Sequence, residues 1–560
     1  MKELDRPLIQ PRKSVFLTKA RSAYQQHLGK KRIPTWLIVM GVLVAALAAV
    51  TPFYILLRMF GADGSAWLRL LQSRLWVLMG NTLMLVFAVT GAATIIGVGL
   101  AWLTERSDLP GRKIFRWLFA LPLAIPAYIG AIIHLALFRP RGGLVPQALE
   151  TWFGYTGRTP SPTGFGGAFF ILTLFSFPYV YLLSGAAFRS LHASLVESAR
   201  ILGCRPWKAF LSVVVPVMRP GITAGALLIA LDILAEYGTV ALLRFETFSS
   251  AIFVQLSGRY NRSAAVVLSG VLILLAFLFL WAELRLNGRA RFTQIESNWR
   301  ESRLTPLNHW KIPAFLVGSA IVFASLVVPL GILTHWSIAA LSDYAAFSSI
   351  VRTGSQTFGN YIVNSLSTGL LAAGIAVILS LPVAIFAVRY PGKMSRLLSQ
   401  MCQVGYAIPG VVTALSVVLL VNRLLPFFYA TPLVLVLAYV LRYLPQAVRS
   451  SESALNQVSP SLEEASRTLG KTHGDTFWKI SLPLIMPGLL AGGALVFLSS
   501  IKELPATLLL RPAGFDTLAV RVWMWSHDGF YLQAAPAAIF LVLISIIPLA
   551  LLLRKVQAFR

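Results

Sequence analysis

The chain has 560 residues, 57% of them hydrophobic and only 12% charged, with a formal net charge of +28. This composition excludes a soluble globular enzyme, because many apolar runs reach the roughly 20 residues needed to cross a bilayer. The positive balance needs no nucleic acid partner, since loop Lys and Arg placed by membrane insertion account for it.

Residues 1–34 are polar and basic, with Lys30-Lys31-Arg32 just ahead of the first apolar run. A charged start of that length does not suit a cleavable signal peptide, so it reads as a basic cytoplasmic tail lying on anionic lipid. Twelve spans are expected, near 35–58, 80–103, 114–138, 166–188, 218–243, 263–284, 312–337, 362–388, 400–422, 431–447, 484–510 and 530–553. The expected fold class is therefore an all-α polytopic membrane protein of about twelve transmembrane helices. Gly and Pro are plentiful inside the runs, as membrane helices tolerate. Lys and Arg in the two tails and the loops after even-numbered spans outnumber those in the opposite loops by more than two to one. That asymmetry places both termini in the cytoplasm. Cys204 and Cys402 give no disulfide framework, and Cys204 falls in a loop read as cytoplasmic, where thiols stay reduced.

The chain repeats itself. Glu197-Ser198-Ala199-Arg200-Ile201-Leu202-Gly203, followed nine residues later by Val213-Val214-Val215-Pro216, returns as Glu464-Ala465-Ser466-Arg467-Thr468-Leu469-Gly470 and Ile480-Ser481-Leu482-Pro483. The two copies lie 267 residues apart (464 − 197), and Pro220-Gly221 and Pro487-Gly488 keep that offset. Upstream, Asn81-Thr82 matches Asn364-Ser365, Pro110-Gly111 matches Pro391-Gly392, and Ala124-Ile125-Pro126 matches Ala407-Ile408-Pro409, at offsets of 281–283. Extra residues in the Gly-, Pro- and Thr-rich loop 139–167 account for the difference. The expected organisation is a tail (1–34), a first six-helix half (35–290), a hydrophilic linker (291–311) and a second six-helix half (312–560). Six spans precede the second half, so the two run in parallel about an axis along the membrane normal.

Each repeated loop reads as a short amphipathic helix on the cytoplasmic side. Ser194…Glu197 and Ser461…Glu464 fit a capping box. Leu191, Leu195, Ala199 and Leu202 share a face, as do Val458, Leu462, Ala465 and Leu469, and Gly203 and Gly470 are stops. Pro216, Pro220, Pro483 and Pro487 are expected to bend the chain into the next span. A single such glutamate reads equally well as a helix cap. Two copies on one spacing point to helices whose apolar face a partner buries. Glu-Ala-Ala, three residues, Gly, nine residues, Ile-x-Leu-Pro resembles the hallmark of permease subunits of binding-protein-dependent ABC importers. The departures are Ser198, Ser466, Val213 and Val215. The resemblance implies that Glu197, Ala199, Gly203, Pro216, Glu464, Ala465, Gly470 and Pro483 form docking sites for two copies of a cytoplasmic ABC ATPase. It also implies an external substrate-binding protein and a bacterial inner-membrane location. ATP is then used by the partner subunits. Gly470-Lys471-Thr472 is a P-loop fragment only, because position 465 is Ala and no strand precedes it.

A second paired motif follows each loop. Glu236-Tyr237-Gly238-Thr239-Val240-Ala241-Leu242-Leu243-Arg244 aligns, again at 267, with Glu503-Leu504-Pro505-Ala506-Thr507-Leu508-Leu509-Leu510-Arg511. Charges within a span need a reason. Asp232, Glu236, Lys502 and Glu503 are either a structural pairing or the wall of a transport path, with Thr507 beside them. Carboxylates suit a cationic solute. The stretch 502–512 with Gly514-Phe515-Asp516-Thr517-Leu518-Ala519 closely resembles ferric iron permeases of the same family, and related fused permeases import thiamine. The histidines His134, His335 and His527 show no helical ligand spacing, so no metal site and no directly bound cofactor are expected. A secondary transporter driven by an ion gradient is the competing class, and it needs no matched docking loops.

Overall fold

The computed structural model describes residues 33–62, 64–139, 143–155, 157, 161–191, 197–199, 201–205, 208, 210–287, 304–353, 356–405 and 408–558. The expected tail through residue 32, the linker through residue 303, and Ser194, Leu195 and Val196 lie outside the described residues. We number the helices that build the bundle and its sites. The first half contributes α1 (Thr35–Phe60), α2 (Leu75–Arg106), α3 (Arg112–Leu118), α4 (Ala127–Leu137), α5 (Phe165–Ser190), α6 (Val215–Ala235), α7 (Gly238–Leu242), α8 (Phe248–Ser257) and α9 (Arg262–Asn287). The second contributes α10 (Lys311–Val322), α11 (Val328–Ser342), α12 (Phe358–Arg389), α13 (Lys393–Val404), α14 (Gly410–Leu424), α15 (Pro432–Gln457), α16 (Pro460–Thr468), α17 (Leu482–Ile501), α18 (Pro505–Leu510), α19 (Leu518–His527) and α20 (Tyr531–Ala558). The described strands are two residues each, at 352–353 and 356–357.

Ten described helices are long and apolar enough to cross a bilayer. The spans expected at 114–138 and 400–422 are not single helices. The first bends by 90° between α3 and α4. The second divides into α13 and α14. Both breaks fall at the matched Pro126 and Pro409, each the residue just before the new helix. Proline lacks the N–H that would continue the helix and pushes the residue before it into an extended conformation; Ile125, at ψ 117°, shows it. The spans expected at 218–243 and 484–510 stop early, at Ala235 and Ile501.

Pro216 and Pro483 do not bend the chain as expected. Each sits at the second residue of its helix, directly after a π-turn, Phe210–Val214 and Phe477–Ser481. A widened turn accommodates the missing N–H and the ring without breaking the rod. Pro329 after the π-turn Phe323–Val327 repeats the device.

Small residues let backbones touch where the halves must be stiff. A side chain at Gly225 would collide with Val180 of α5, and one at Gly492 with Ser450 and Ala447 of α15. Gly221 and Gly488, one turn earlier, abut Ala187 and Ala454. All of these pairs keep the 267 offset. The Gly-x-x-x-Gly pattern packs α6 on α5, and α17 on α15, at van der Waals distance in both copies.

The halves are interlocked. Buried Leu37, Val44, Ala45 and Ala48 of α1 belong to a core with Phe386, Leu398, Cys402 and Tyr439 of the second half. Reciprocally, Phe315 of α10 meets Phe115 edge-on at 5.6 Å, and Gly318 lies against Phe119. The end of the linker is fastened to the loop after α2. Thr305 pairs with Arg106 and Asp108 through the backbone, the Leu307 amide donates to Asp108 at 2.8 Å, and Lys311 meets Asp108 at 2.7 Å. The Lys311 ammonium and the Leu307 amide hold the Asp108 carboxyl below the usual carboxylate range.

Candidate docking surfaces and transport cavity

The repeated segments fold alike. Residues 197–199 and 201 are helical, as is α16. Gly203 and Gly470 adopt φ of 82° and 81°. In each copy the amide after the glycine reaches back five residues, Cys204 to Ala199 at 3.0 Å and Lys471 to Ser466 at 3.2 Å. This closure requires a left-handed residue, which favours glycine. The cap of α16 is Ser459, which accepts from the Ser461 amide, so the expected box from Ser461 to Glu464 does not form. Glu463 instead bonds Arg389 at 2.8 Å and Ser481 at 3.1 Å.

The face expected to carry a partner is open. Glu197, Glu464 and Ala465 are exposed. Leu202 and Leu469 are 83% and 81% exposed. The third residue of the motif faces inward: Ala199 and Ser466 are buried, and Ser466 bonds Thr476 at 2.9 Å. The first copy has Ala209 where the second has Thr476, so the serine arrives together with a hydroxyl partner.

Each segment is tied to the bundle by an arginine that sequence reasoning passed over. Arg106, the last residue of α2, donates to the Leu191 carbonyl at 2.6 Å and to the Phe188 carbonyl. Arg389, the last residue of α12, donates to the Val458 and Leu455 carbonyls at 3.1 and 3.3 Å. Cations here satisfy the orphan carbonyls at the ends of α5 and α15. The offset of 283 between the two arginines is the signal that identifies them.

At the centre, three breaks converge on α15. The turns after Ala124, Ala235 and Ile501, together with α15, enclose a cavity of about 170 Å³. Asp232, Glu236, Arg442, Lys502 and Glu503 line it, with Tyr128, Tyr179, Tyr443 and Gln446. The paired glutamates play one role in both halves. Glu236 accepts from the Thr239 amide at 2.7 Å and Glu503 from the Ala506 amide at 3.3 Å. Each thus satisfies an amide freed where its span breaks, which is why broken helices persist at membrane depth. From there the halves diverge. Arg442 bonds Glu503 at 2.5 Å and the Tyr443 hydroxyl donates to the same carboxylate. The first-half counterparts of Arg442 and Lys502 are Phe175 and Ala235. Lys502 donates across the two-fold to the Leu123 carbonyl at 3.0 Å. Thr507 stands behind the wall, fully buried, bonded to Tyr439 at 2.6 Å and to the Glu503 carbonyl. Among the described residues no group of three or more His, Cys, Asp or Glu is placed to hold a metal ion.

The profile of the binding-protein-dependent transport system inner membrane component family matches residues 93–292 and 376–559. The chain belongs to this family. Each matched region holds one copy of the repeated segment and one glutamate-capped break. The permease is 32% identical over 535 residues to the Fe(3+)-transport system permease protein FbpB 2 of Haemophilus influenzae, across 95% of this chain and all of that one. It is 23% identical over 469 residues to the ferric transport system permease protein FbpB of Actinobacillus pleuropneumoniae, covering 81% and 67% of the two chains. The molybdenum transport system permease protein ModB of Escherichia coli matches 190 residues at 27% identity, 33% of this chain and 81% of that one. The permease is a multi-pass component of the inner membrane.

Gly410 is the least obvious residue of the site. A Cβ there would occupy the space of the Arg442 guanidinium and the Glu503 carboxylate. The first half, without an arginine, has Ala127 at this position. Gly410→Ala is expected to displace the ion pair and cost about 1–3 kcal/mol, the usual range for overpacking. Ala127→Gly is expected to cost less than about 1 kcal/mol. Thermal unfolding of the two purified variants checks the contrast, and equal losses would refute this role for Gly410.

The repeated Asn81-Thr82 and Asn364-Ser365 also acquire a place. Asn81 donates to the Glu246 carbonyl at 3.1 Å and Thr82 accepts from the Phe248 amide. Asn364 donates to the Asp516 carbonyl at 3.0 Å and Ser365 accepts from the Leu518 amide. Both pairs pin the start of the second helix after each glutamate break, α8 and α19.

Proposed function

We propose that the permease imports ferric iron delivered by an external binding protein. Two copies of a cytoplasmic ATPase dock on the segments around Glu197–Gly203 and Glu464–Gly470, and both termini lie in the cytoplasm. ATP is bound and hydrolysed by those subunits, and the permease itself holds no cofactor. The halves 35–290 and 312–560, joined by the linker 291–311, enclose one path through Asp232, Glu236, Lys502 and Glu503. Thr507 braces that wall.

The observation that carries this reading is identity along the full length of a relative named for Fe(3+) transport. The cavity agrees with it. Three carboxylates against two cations give a wall hostile to oxyanions, which weighs against the cargo of the molybdenum relative. Carboxylate and phenol oxygens are hard donors suited to a small, highly charged cation.

The mechanism is alternating access. Closure of the ATPase pair draws the two docking helices together. The arginine ties and the tightly packed α5–α6 and α15–α17 pairs pass that movement to the glutamate breaks. The test is uptake of ⁵⁵Fe(III) from loaded binding protein into proteoliposomes holding the complete complex. ATP-dependent accumulation is expected. Thiamine uptake in place of iron, or accumulation driven by an ion gradient without ATP, would overturn the proposal.

A further inference from the structure

Building on the ferric reading, we infer that Lys502 is the resident counter-cation of the transport cavity, exchanged for the cargo cation as it passes Asp232 and Glu236.

Five charged side chains face the cavity, and two of them are spoken for. Arg442 and Glu503 form a pair that the Tyr443 hydroxyl completes. That leaves two carboxylates on the first-half wall, Asp232 and Glu236, and one ammonium on the second-half wall, Lys502. None of the three makes an ion pair within 4.0 Å among the described residues. Glu236 accepts from an amide and Lys502 donates to a carbonyl, and Asp232 lines the same cavity as Lys502.

The two halves differ at these positions. Asp232 corresponds to Ser499, and Lys502 to Ala235. One wall carries an acid where the other has a hydroxyl, and the opposite wall carries a base where the first has a methyl. Acid and base thus stand opposed across an otherwise repeated lining. Ionised carboxylates away from water are costly without a counter-charge. A lysine held by one of its three donors, on a four-carbon stem, supplies that charge without locking to either acid. Coulomb attraction scales with the charge of the visitor, so a trivalent ion outcompetes a single ammonium for Asp232 and Glu236. On departure the ammonium returns, which speeds release. Because the tether ends on Leu123 of the other half, rocking of the halves disturbs it at the same moment.

The test uses the complete complex in nanodiscs and terbium(III) as the probe, a hard trivalent ion excited through nearby tyrosines such as Tyr128 and Tyr443. Lys502→Met is expected to bind terbium at least tenfold more tightly than the wild type. Adding Asp232→Asn is expected to bring affinity back to the wild-type level, and Lys502→Arg to leave it unchanged. Lys502→Gln serves as a second neutral variant should the methionine protein fail to assemble. A merely structural lysine would alter stability while terbium affinity stayed put; that result overturns the inference, as does tightening that survives Asp232→Asn. Tightening in a protein whose wild type transports no ferric iron would leave the exchange standing and remove only iron as its cargo.

Discussion

Arg442→Met is expected to cost about 3–5 kcal/mol of stability and to abolish uptake, the range seen when one partner of a buried ion pair is removed. The Glu503 carboxylate is almost fully enclosed, its side chain 4% exposed and that of Arg442 15%. Three donors serve it: the guanidinium, the Tyr443 hydroxyl and the Ala506 amide. Without the arginine, a charge remains in a low-dielectric wall with only neutral donors. Arg442→Met with Glu503→Gln removes both charges and is expected to recover most of the loss. Chemical denaturation of the single and double variants measures the coupling. A single variant within about 1 kcal/mol of wild type, the value of an exposed pair, would show that the pair is solvated and not a structural strut.

Charge reversal at both docking segments, Glu197→Lys with Glu464→Lys, is expected to eliminate ATP-dependent uptake and leave the fold intact. Both glutamates are exposed, so neither reversal disturbs a packed core. Losing a charged contact at an interface costs about 2–5 kcal/mol. That corresponds to ATPase association weaker by roughly thirtyfold or more at each site. Either single variant is expected to retain one anchored ATPase. Co-purification of the ATPase with each variant, alongside thermal unfolding, separates lost docking from lost folding. Full ATPase retention by the double variant would place the docking energy elsewhere, for instance on Leu202 and Leu469.

How much of this was legible beforehand depended on what kind of signal each residue leaves. The membrane class and the two-fold repeat were open to reading, because hydrophobic run length and a constant offset survive divergence. Glu197, Gly203, Glu464 and Gly470 could be found for that reason. The broken spans could not. Hydrophobicity continues straight through Glu236 and Glu503, and only the backbone shows that these carboxylates satisfy amides released by a break. Pro216 and Pro483 read as bends because a proline interrupts an ideal helix, yet the preceding π-turn absorbs it. The pairing of Arg442 with Glu503, 61 residues apart, leaves no local pattern. Its one trace is that Gly410 replaces the alanine expected from the first half. Leu469 was expected to share an apolar face with Ala465, and the open side of that face is the one a partner needs.

The reach of α1 into the second half sets a schedule for biogenesis. Its neighbours there, among them Phe386 and Leu398, are synthesised some 350 residues later, a delay on the order of tens of seconds at ribosomal speed. Through that interval the helix can pack only on its own half, Met59 against Gly270, while Gly41 awaits Leu398. A nascent chain halted before residue 400 therefore leaves a half-covered anchor, a form that membrane quality-control proteases can distinguish from the finished product.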